Sequence, residues 1–118
     1  SVPDDKLILL DYYCDSVEIW RETQQYYGKP YIWCYLGNFG GNSMLAGHVD
    51  DVSAKLNRLF VEGGGKNISG VGATLEGLDV NPFMYEFVLE KAWSHTITNA
   101  DWMKNWALCG EEVKVAIL

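Results

Sequence analysis

The residues ISGVGATLEG, numbers 68–77, decide the fold that we predict for this chain. The first part of the stretch is small and apolar, as expected of a buried strand. A single carboxylate, Glu76, follows the apolar run, and Gly77 comes directly after it. Asn81 and Pro82 then open an aromatic-rich pattern that is typical of a helix with proline in its first turn. The stretch therefore predicts a strand, a loop and a helix start, with Glu76 at the carboxyl end of the strand.

Two earlier runs also predict strands. Residues 7–10, LILL, are unbroken apolar sequence, which is typical of a strand covered on both faces. Residues 31–36, YIWCYL, are aromatic and β-branched and favour a second strand. Within it, Trp33 and Tyr35 are each open to core burial or to lining a site, and we expect them to face opposite ways. The third strand should start near Asn67.

Helical patterns follow each strand. Ser16 can cap a first helix that Gly28 ends. Residues 49–60 carry apolar side chains at the spacing of an amphipathic helix, namely Val49, Val52, Leu56, Leu59 and Phe60. In the helix from Pro82, Glu86 and Glu90 lie one turn apart, and we expect them on a solvated face. A last short helix should begin at Asn99 or Asp101 and run through Trp106.

The order of these elements is β-α-β-α-β-α-α, which predicts an α/β fold. Three consecutive βα units of this kind imply parallel strands joined by right-handed crossovers. No repeat, linker or low-complexity segment divides residues 1–118, so we expect a single unit. The carboxyl ends of parallel strands share one rim, and that rim is where ligands and catalysis sit in such folds.

Composition and charge narrow the classes of function. The formal net charge of −7 and the pI near 4.6 argue against nucleic acid and against an anionic membrane surface. Neither His48 nor His95 has a second ligand at metal spacing, and the Gly37–Gly41 loop lacks both a phosphate-binding lysine and dinucleotide spacing. We therefore expect no metal and no cofactor.

Polar residues follow all three predicted strands at the same rim. Asp11 and Tyr12 end the first strand, Asn38 follows the second, and Glu76 ends the third. Carboxylates and amides beside aromatic rings suit a sugar, since rings stack on its apolar faces and polar groups bind its hydroxyls. The alternative for Glu76 is a solvated loop residue with no function.

Glycoside hydrolysis needs two carboxyl groups, about 5–5.5 Å apart for retention of configuration and about 6.5–9.5 Å apart for inversion. Asp11 and Glu76 are two strand steps apart, which puts them about 10 Å from each other. We therefore expect the carboxyl partner of Glu76 to lie outside this chain.

The sequence resembles glycoside hydrolase family 89, the α-N-acetylglucosaminidases, in motifs that run from about Leu7 to about Trp106. The motifs are YIWCYLGNFGGN at 31–42 and GATLEG at 72–77, with LLD at 9–11 and NPFMYE at 81–86 at fitting distances. The resemblance implies a (β/α)8 TIM-type barrel that removes terminal α-linked N-acetylglucosamine from glycans with retention, in a secreted, periplasmic or lysosomal protein. It implies that Glu76 is the nucleophile and that Trp33, Leu36, Asn38 and Tyr12 line the sugar pocket.

Two departures from the family pattern shape the expectation. The general acid/base of the family is the glutamate of an Asn-Glu pair on an earlier strand, and no such pair precedes Leu7. The tail at 107–118 also differs from the longer basic helix of the family. We therefore expect a piece of a larger barrel domain that is inactive alone and self-associates through exposed strand edges. The alternatives are a non-catalytic sugar-binding or structural remnant and a small flavodoxin-like module.

Overall fold

The computed structural model describes residues 2–37, 48–62, 67–75, 81–94 and 96–117, with side chains to residue 109. Its three strands are β1 (Leu9–Asp11), β2 (Tyr31–Tyr35) and β3 (Ile68–Ala73), and they form one parallel sheet in the order β1-β2-β3. The predicted α/β fold of consecutive βα units is confirmed. A flavodoxin-like sheet would place its first strand between the next two. The observed order is that of neighbouring strands in a barrel, so the flavodoxin-like alternative is wrong.

The helices are α1 (Ile19–Glu22), α2 (Gln24–Tyr27), α3 (Val49–Glu62), α4 (Pro82–Trp93) and α5 (Asn99–Ile117), and a 3-10 turn spans Asp4–Lys6. The amphipathic pattern of α3 is confirmed, since Val52, Leu56 and Leu59 are buried. The last helix is not short: α5 continues past Trp106 to Ile117. Residues 107–117 contain no proline and include six good helix formers, so the extension of the helix is consistent with their sequence.

The segment between β1 and β2 differs from the single helix that we predicted. Ser16 does not cap it; α1 begins after Glu18, which makes no side-chain capping bond. The four residues of α2 all have positive φ, between 50° and 57°, which makes α2 a left-handed turn. Such backbone costs about 1–2 kcal/mol per residue, so tertiary contacts must hold it. Gly28 ends the turn at φ 82°, as its predicted role as a helix stop requires.

Polar contacts from distant elements stabilise this left-handed turn. The hydroxyl of Tyr26 donates to the carboxylate of Asp11 at the end of β1. The side-chain amide of Asn67, just before β3, donates to the carbonyls of Gln25 at 2.7 Å and Lys29 at 2.9 Å. The shape of α2 therefore depends on β1 and on the start of β3.

The core lies on one face of the sheet. Tyr31, Trp33 and Tyr35 are all buried in it, with at most 3% of each residue exposed. The expectation that Trp33 and Tyr35 face opposite ways is wrong, because residues two apart in a strand lie on the same side. The opposite face of β1 is open: Leu10 is 62% exposed, so β1 is not covered on both faces.

Helix α4 packs against α5 through aromatic and acidic side chains. The Trp106 indole N–H donates to Glu86 at 2.6 Å, and the Trp102 indole N–H donates to Glu90. Both glutamates lie on an exposed face, as expected, and each also accepts a hydrogen bond from α5. Their charge faces the neighbouring helix, although both side chains stay accessible to water.

Candidate functional site

The carboxyl ends of the three parallel strands form one rim. In register, Asp11 of β1 pairs with Trp33 of β2, which pairs with Val71 of β3. The next residues, 12–15 after β1, 36–37 after β2 and 74–75 after β3, therefore lie along the same edge. The rim predicted from the sequence is confirmed in this part of the chain.

Thr74 connects all three strand ends. Its backbone N–H donates to the carbonyl of Tyr35 at 2.9 Å, and its hydroxyl donates to the carbonyl of Tyr12 at 2.9 Å. The hydroxyl of Tyr85 on α4 donates to the carbonyl of Leu36 at 2.7 Å and lies 3.5 Å from the carbonyl of Thr74. The backbone two residues before position 76 is thus fixed to the ends of both β1 and β2.

Asp15 fixes the end of β2. Its two carboxylate oxygens accept from the backbone N–H of Leu36 at 2.8 Å and of Gly37 at 3.2 Å. Hydrogen bonds to a carboxylate are about twice as strong as those between neutral groups. The ammonium of Lys55 on α3 donates to the Asp15 carbonyl at 2.6 Å and to Asp51 at 2.8 Å. Leu36 and Gly37, the last described residues after β2, are therefore held in place.

Gly37 occupies a position that accepts no other residue without strain. Its φ is +69°, in the left-handed region. A Cβ built there would lie 2.5 Å from the hydroxyl oxygen of Tyr35 and 2.6 Å from the adjacent ring carbon. Tyr35 is buried, so moving its ring aside would disturb the core, and glycine is favoured both for its φ and for its missing side chain.

Two tyrosines beneath the rim stay protonated. Burial, and then the charge of Asp15, raise the pKa of Tyr35 and of Tyr85. The two rings pack edge to face, with their centroids 5.2 Å apart. Because the Tyr85 hydroxyl keeps its proton, it is a donor to the Leu36 carbonyl across the ordinary pH range.

Of the predicted site residues, Leu36 and Tyr12 are brought together at the rim. Leu36 is buried and holds its place through its backbone, whereas Tyr12 is 55% exposed and its ring stacks 6.4 Å from that of Tyr13. Trp33 lies in the core on the helix side of the sheet. Its indole N–H has no hydrogen-bond partner within the described part of the chain. Asn38 and Glu76 lie outside the described residues.

Asp11 serves the fold rather than the open rim. It is 7% exposed and accepts from Tyr26, on the same face as the core. Its neighbours are buried acids that stay neutral: burial raises the pKa of the Cys14 thiol, and burial together with Cys14 and Asp11 raises the pKa of Tyr31 to about 12. Asp11 therefore holds the left-handed turn in place.

Sequence reasoning missed three residues that organise the rim, namely Asp15, Thr74 and Tyr85. Asp15 stands in a short polar stretch between β1 and α1, where an acid is usually solvated. In the sequence, Tyr85 is one of several aromatic residues of α4, and nothing local distinguishes it from the others. Only Thr74, two positions before Glu76, carried a signal by its place.

The described residues show neither a metal site nor a membrane-spanning helix. Ranges 2–37, 48–62, 67–75, 81–94 and 96–117 contain no group of three His, Cys, Asp or Glu placed to hold a metal ion. Over the same ranges, no helix is long and apolar enough to cross a membrane.

The strand order and the contacts between the strand ends define a class: part of a barrel of βα units, a fold whose ligand sites lie at its carboxyl edge. Comparison with known families is more specific. Residues 1–95 match the family model described as the alpha-N-acetylglucosaminidase (NAGLU) tim-barrel domain. The chain belongs to this family, and the resemblance stated from its motifs is confirmed. Helix α5 lies beyond the matched residues.

Individual proteins that the chain resembles in sequence or in fold belong to the same family. The chain is 34% identical over 95 residues to the human alpha-N-acetylglucosaminidase, an alignment that covers 79% of this chain and 12% of the human protein. Its fold matches a family 89 glycoside hydrolase from Clostridium perfringens, solved in complex with PUGNAc, with a TM-score of 0.73 and 22% identity. The same enzyme with 2-acetamido-1,2-dideoxynojirmycin gives a TM-score of 0.72 and 23% identity.

The matches cover most of this chain but only a small part of each relative. Each structural match covers 90% of this chain but 12% of the solved chain. The chain thus spans about an eighth of the length of its relatives and corresponds to one part of their barrel.

Proposed function

We propose that this chain supplies the nucleophile-bearing part of a retaining α-N-acetylglucosaminidase barrel that acts on terminal α-linked N-acetylglucosamine. The observation that carries the proposal is the cross-linked rim: Thr74 binds the ends of β1 and β2 two residues before Glu76. A nucleophile must be held in place against its substrate, because proximity and orientation lower the barrier. Membership of the family, whose human relative is named for this activity, supports the same conclusion.

The proposed chemistry is a double displacement at Glu76. Its carboxylate attacks the anomeric carbon and forms a covalent glycosyl-enzyme, which water then hydrolyses. A second carboxyl group, about 5–5.5 Å away, protonates the leaving oxygen and then activates that water. We propose that this acid/base lies on a segment of the barrel other than these 118 residues. The chain alone would then have little or no hydrolytic activity.

The other predicted site residues take different parts in this proposal. Asn38 would offer its amide to a sugar hydroxyl or to the acetamido group, and the exposed ring of Tyr12 would offer a stacking surface. Leu36 would shape the wall between them. Trp33 is fully buried in the core, so we propose that it supports the rim from beneath and does not contact the sugar.

Calorimetry and a turnover assay on the isolated chain test the proposal. We expect N-acetylglucosamine to bind weakly, with no hydrolysis of an aryl α-N-acetylglucosaminide. Glu76→Gln should weaken binding, whereas Glu22→Gln, an exposed glutamate on α1, should not. Binding that Glu76→Gln leaves unchanged would point to a sugar-binding remnant, which the 12% coverage also accommodates. Absence of any binding would contradict a retained sugar site.

We also propose that the chain self-associates. The face of β1 that bears Leu10 is exposed, and a bare sheet edge offers unpaired backbone groups to another strand. Size-exclusion chromatography with light scattering should give a mass above 13.3 kDa that falls on dilution. Leu10→Lys should shift the mass towards the monomer, while Val61→Lys, exposed on α3 away from the β1 edge, should not. A concentration-independent monomer would contradict this proposal.

A further inference from the structure

A groove between α4 and α5 lies apart from the rim. Its volume is about 480 Å³, within the range of about 300–1,000 Å³ typical of small-molecule sites. One wall is α4, and the other is α5, which follows the last residue matched by the family model. The groove therefore includes residues of α5 that the family model does not match, although the structural matches, which cover 90% of this chain, extend into α5.

Three tryptophans line the groove. Trp93 at the end of α4 is 89% exposed, Trp106 on α5 is 41% exposed, and Trp102 is buried at the base. Exposed apolar surface that is grouped in one patch with a polar rim is typical of ligand-binding grooves. Trp93 and Trp106 thus give the groove aromatic walls that are accessible to a ligand, over the buried Trp102.

Two carboxylates lie between these rings. Glu86 and Glu90 line the groove, and each uses one oxygen to accept an indole N–H, from Trp106 and Trp102 respectively. An indole is a neutral donor, so it orients a carboxylate without cancelling its charge. Within the described ranges, neither glutamate forms an ion pair with a lysine or arginine.

The nearby lysines do not neutralise this charge. Lys91 on α4 is 3% exposed; its ammonium donates to the carbonyl of Ile97 and lies 5.7 Å from the centroid of the Phe87 ring. Lys104 is exposed on α5 and is not among the residues that line the groove. The groove therefore presents two negative charges among three indoles.

We propose that this groove binds a small organic cation of the alkylated ammonium class, such as choline. A cation with apolar methyl groups gains from the faces of the indoles and from the carboxylates together. A neutral sugar would gain from the rings but not from the uncompensated charge. The proposal concerns α4 and α5 and is independent of catalysis at Glu76.

Tryptophan fluorescence tests the proposal, because three of the five tryptophans line the groove. The chain is titrated with choline chloride at constant ionic strength and, in parallel, with 3,3-dimethyl-1-butanol, its neutral analogue of the same shape. We expect a saturable change with choline and binding at least tenfold weaker with the alcohol. A response that does not saturate, or that is equal for the two compounds, would overturn the proposal.

Paired variants locate the site. In the double variant Glu86→Gln and Glu90→Gln the side-chain carbonyls can still accept the indole N–H groups, so the helix contact is kept while the charge is lost. It should weaken choline binding at least tenfold. Asp5→Asn with Glu22→Gln removes two charges elsewhere and should leave binding unchanged. Trp106→Phe, followed by calorimetry, should also weaken it. Equal affinity in all variants, or saturation by N-acetylglucosamine in place of choline, would overturn the proposal.

Discussion

At the scale of single residues, Gly37 shows how the rim restricts its own sequence. Its positive φ and its close approach to the Tyr35 ring are two separate constraints. Two other glycines allow the effect of each constraint to be measured separately. Gly28 also has a positive φ but open space around it, and Gly70 has open space without a positive φ. These three positions therefore form a natural series for one substitution.

We predict that Gly37→Ala destabilises the chain most. Gly28→Ala should cost about 1–2 kcal/mol, the usual cost of left-handed backbone for a residue with a Cβ. Gly37→Ala should cost about 1–3 kcal/mol more, because the buried Tyr35 ring must also move. Gly70→Ala should change stability by about 0.5 kcal/mol or less. Urea unfolding of the three variants measures the series, and equal effects at positions 28 and 37 would contradict the contact.

Some residue roles could be predicted from the sequence and others could not. Tyr12 is expected at the rim because parallel strands end together, whereas Leu36 is assigned to the pocket by the resemblance alone. Trp33 was assigned to the pocket by resemblance, yet its place two positions after the buried Tyr31 puts it on the core face. Asp15 could not be found, because its partners lie 21 and 22 positions away in the chain.

At the scale of elements, the left-handed α2 turn is held by side chains from β1 and from the start of β3. The Tyr26 hydroxyl and the Asn67 amide supply these contacts, and Asp11 accepts from the former. Tyr27 stands next in sequence, shares the same backbone conformation and is 81% exposed. Tyr26 and Tyr27 thus provide a matched pair.

We predict that Tyr26→Phe destabilises the chain by about 1–3 kcal/mol, because it leaves the buried Asp11 carboxylate without its donor. Tyr27→Phe should have no measurable effect. Thermal unfolding gives the stabilities, and amide exchange of residues 23–29 should quicken in the first variant alone. Equal stability of the two variants would show that the Asp11 contact does not hold the turn.

The contrast between α3 and α2 shows what local pattern can and cannot predict. In α3, burial of one face decides the structure, and the spacing of its apolar residues records that burial. In α2, the left-handed turn is held by partners 15 and 42 positions distant. No local pattern records such contacts, so the sequence predicted an ordinary helix there.

At the scale of the whole molecule, buried acids make the fold sensitive to alkali. Burial is the first cause that raises the pKa of six groups, namely Cys14, Tyr26, Tyr31, Cys34, Tyr35 and Tyr85. Their ordinary values are 9.0 for cysteine and 10.0 for tyrosine. The folded chain therefore keeps protons that the unfolded chain releases from about pH 9 upwards.

We predict that these six groups leave the free energy of unfolding unchanged below pH 9. Above pH 9 their ionisation in the unfolded chain should lower the free energy of unfolding as the pH rises towards 11. Burial lowers the pKa of Lys91, so this one group makes the chain more stable as the pH rises. The six groups with raised pKa outnumber it, and we expect the net effect to be a loss of stability. Urea midpoints from pH 7 to 11 measure the effect. Tyr31→Phe should make the fall less steep at little cost at neutral pH, since its buried hydroxyl has no partner in the described structure. A constant midpoint to pH 11 would contradict the prediction.

The central claim is that Glu76 is the nucleophile of an α-N-acetylglucosaminidase barrel, and an exchange of segments tests it most directly. Residues 1–95, which the family model matches, replace the corresponding segment of the human enzyme, to which the chain is 34% identical over 95 residues. The exchange supplies the rest of the barrel, so activity no longer depends on what these residues lack.

The measurement is hydrolysis of an aryl α-N-acetylglucosaminide by this chimera, by its Glu76→Ala variant and by a Glu62→Gln control on α3. We predict an active chimera, an unchanged control and a loss of about 10³-fold or more in Glu76→Ala. Azide should restore turnover to that variant and give the β-glycosyl azide, because it attacks from the face that the carboxylate occupied. An active chimera whose Glu76→Ala variant keeps its rate would contradict the claim.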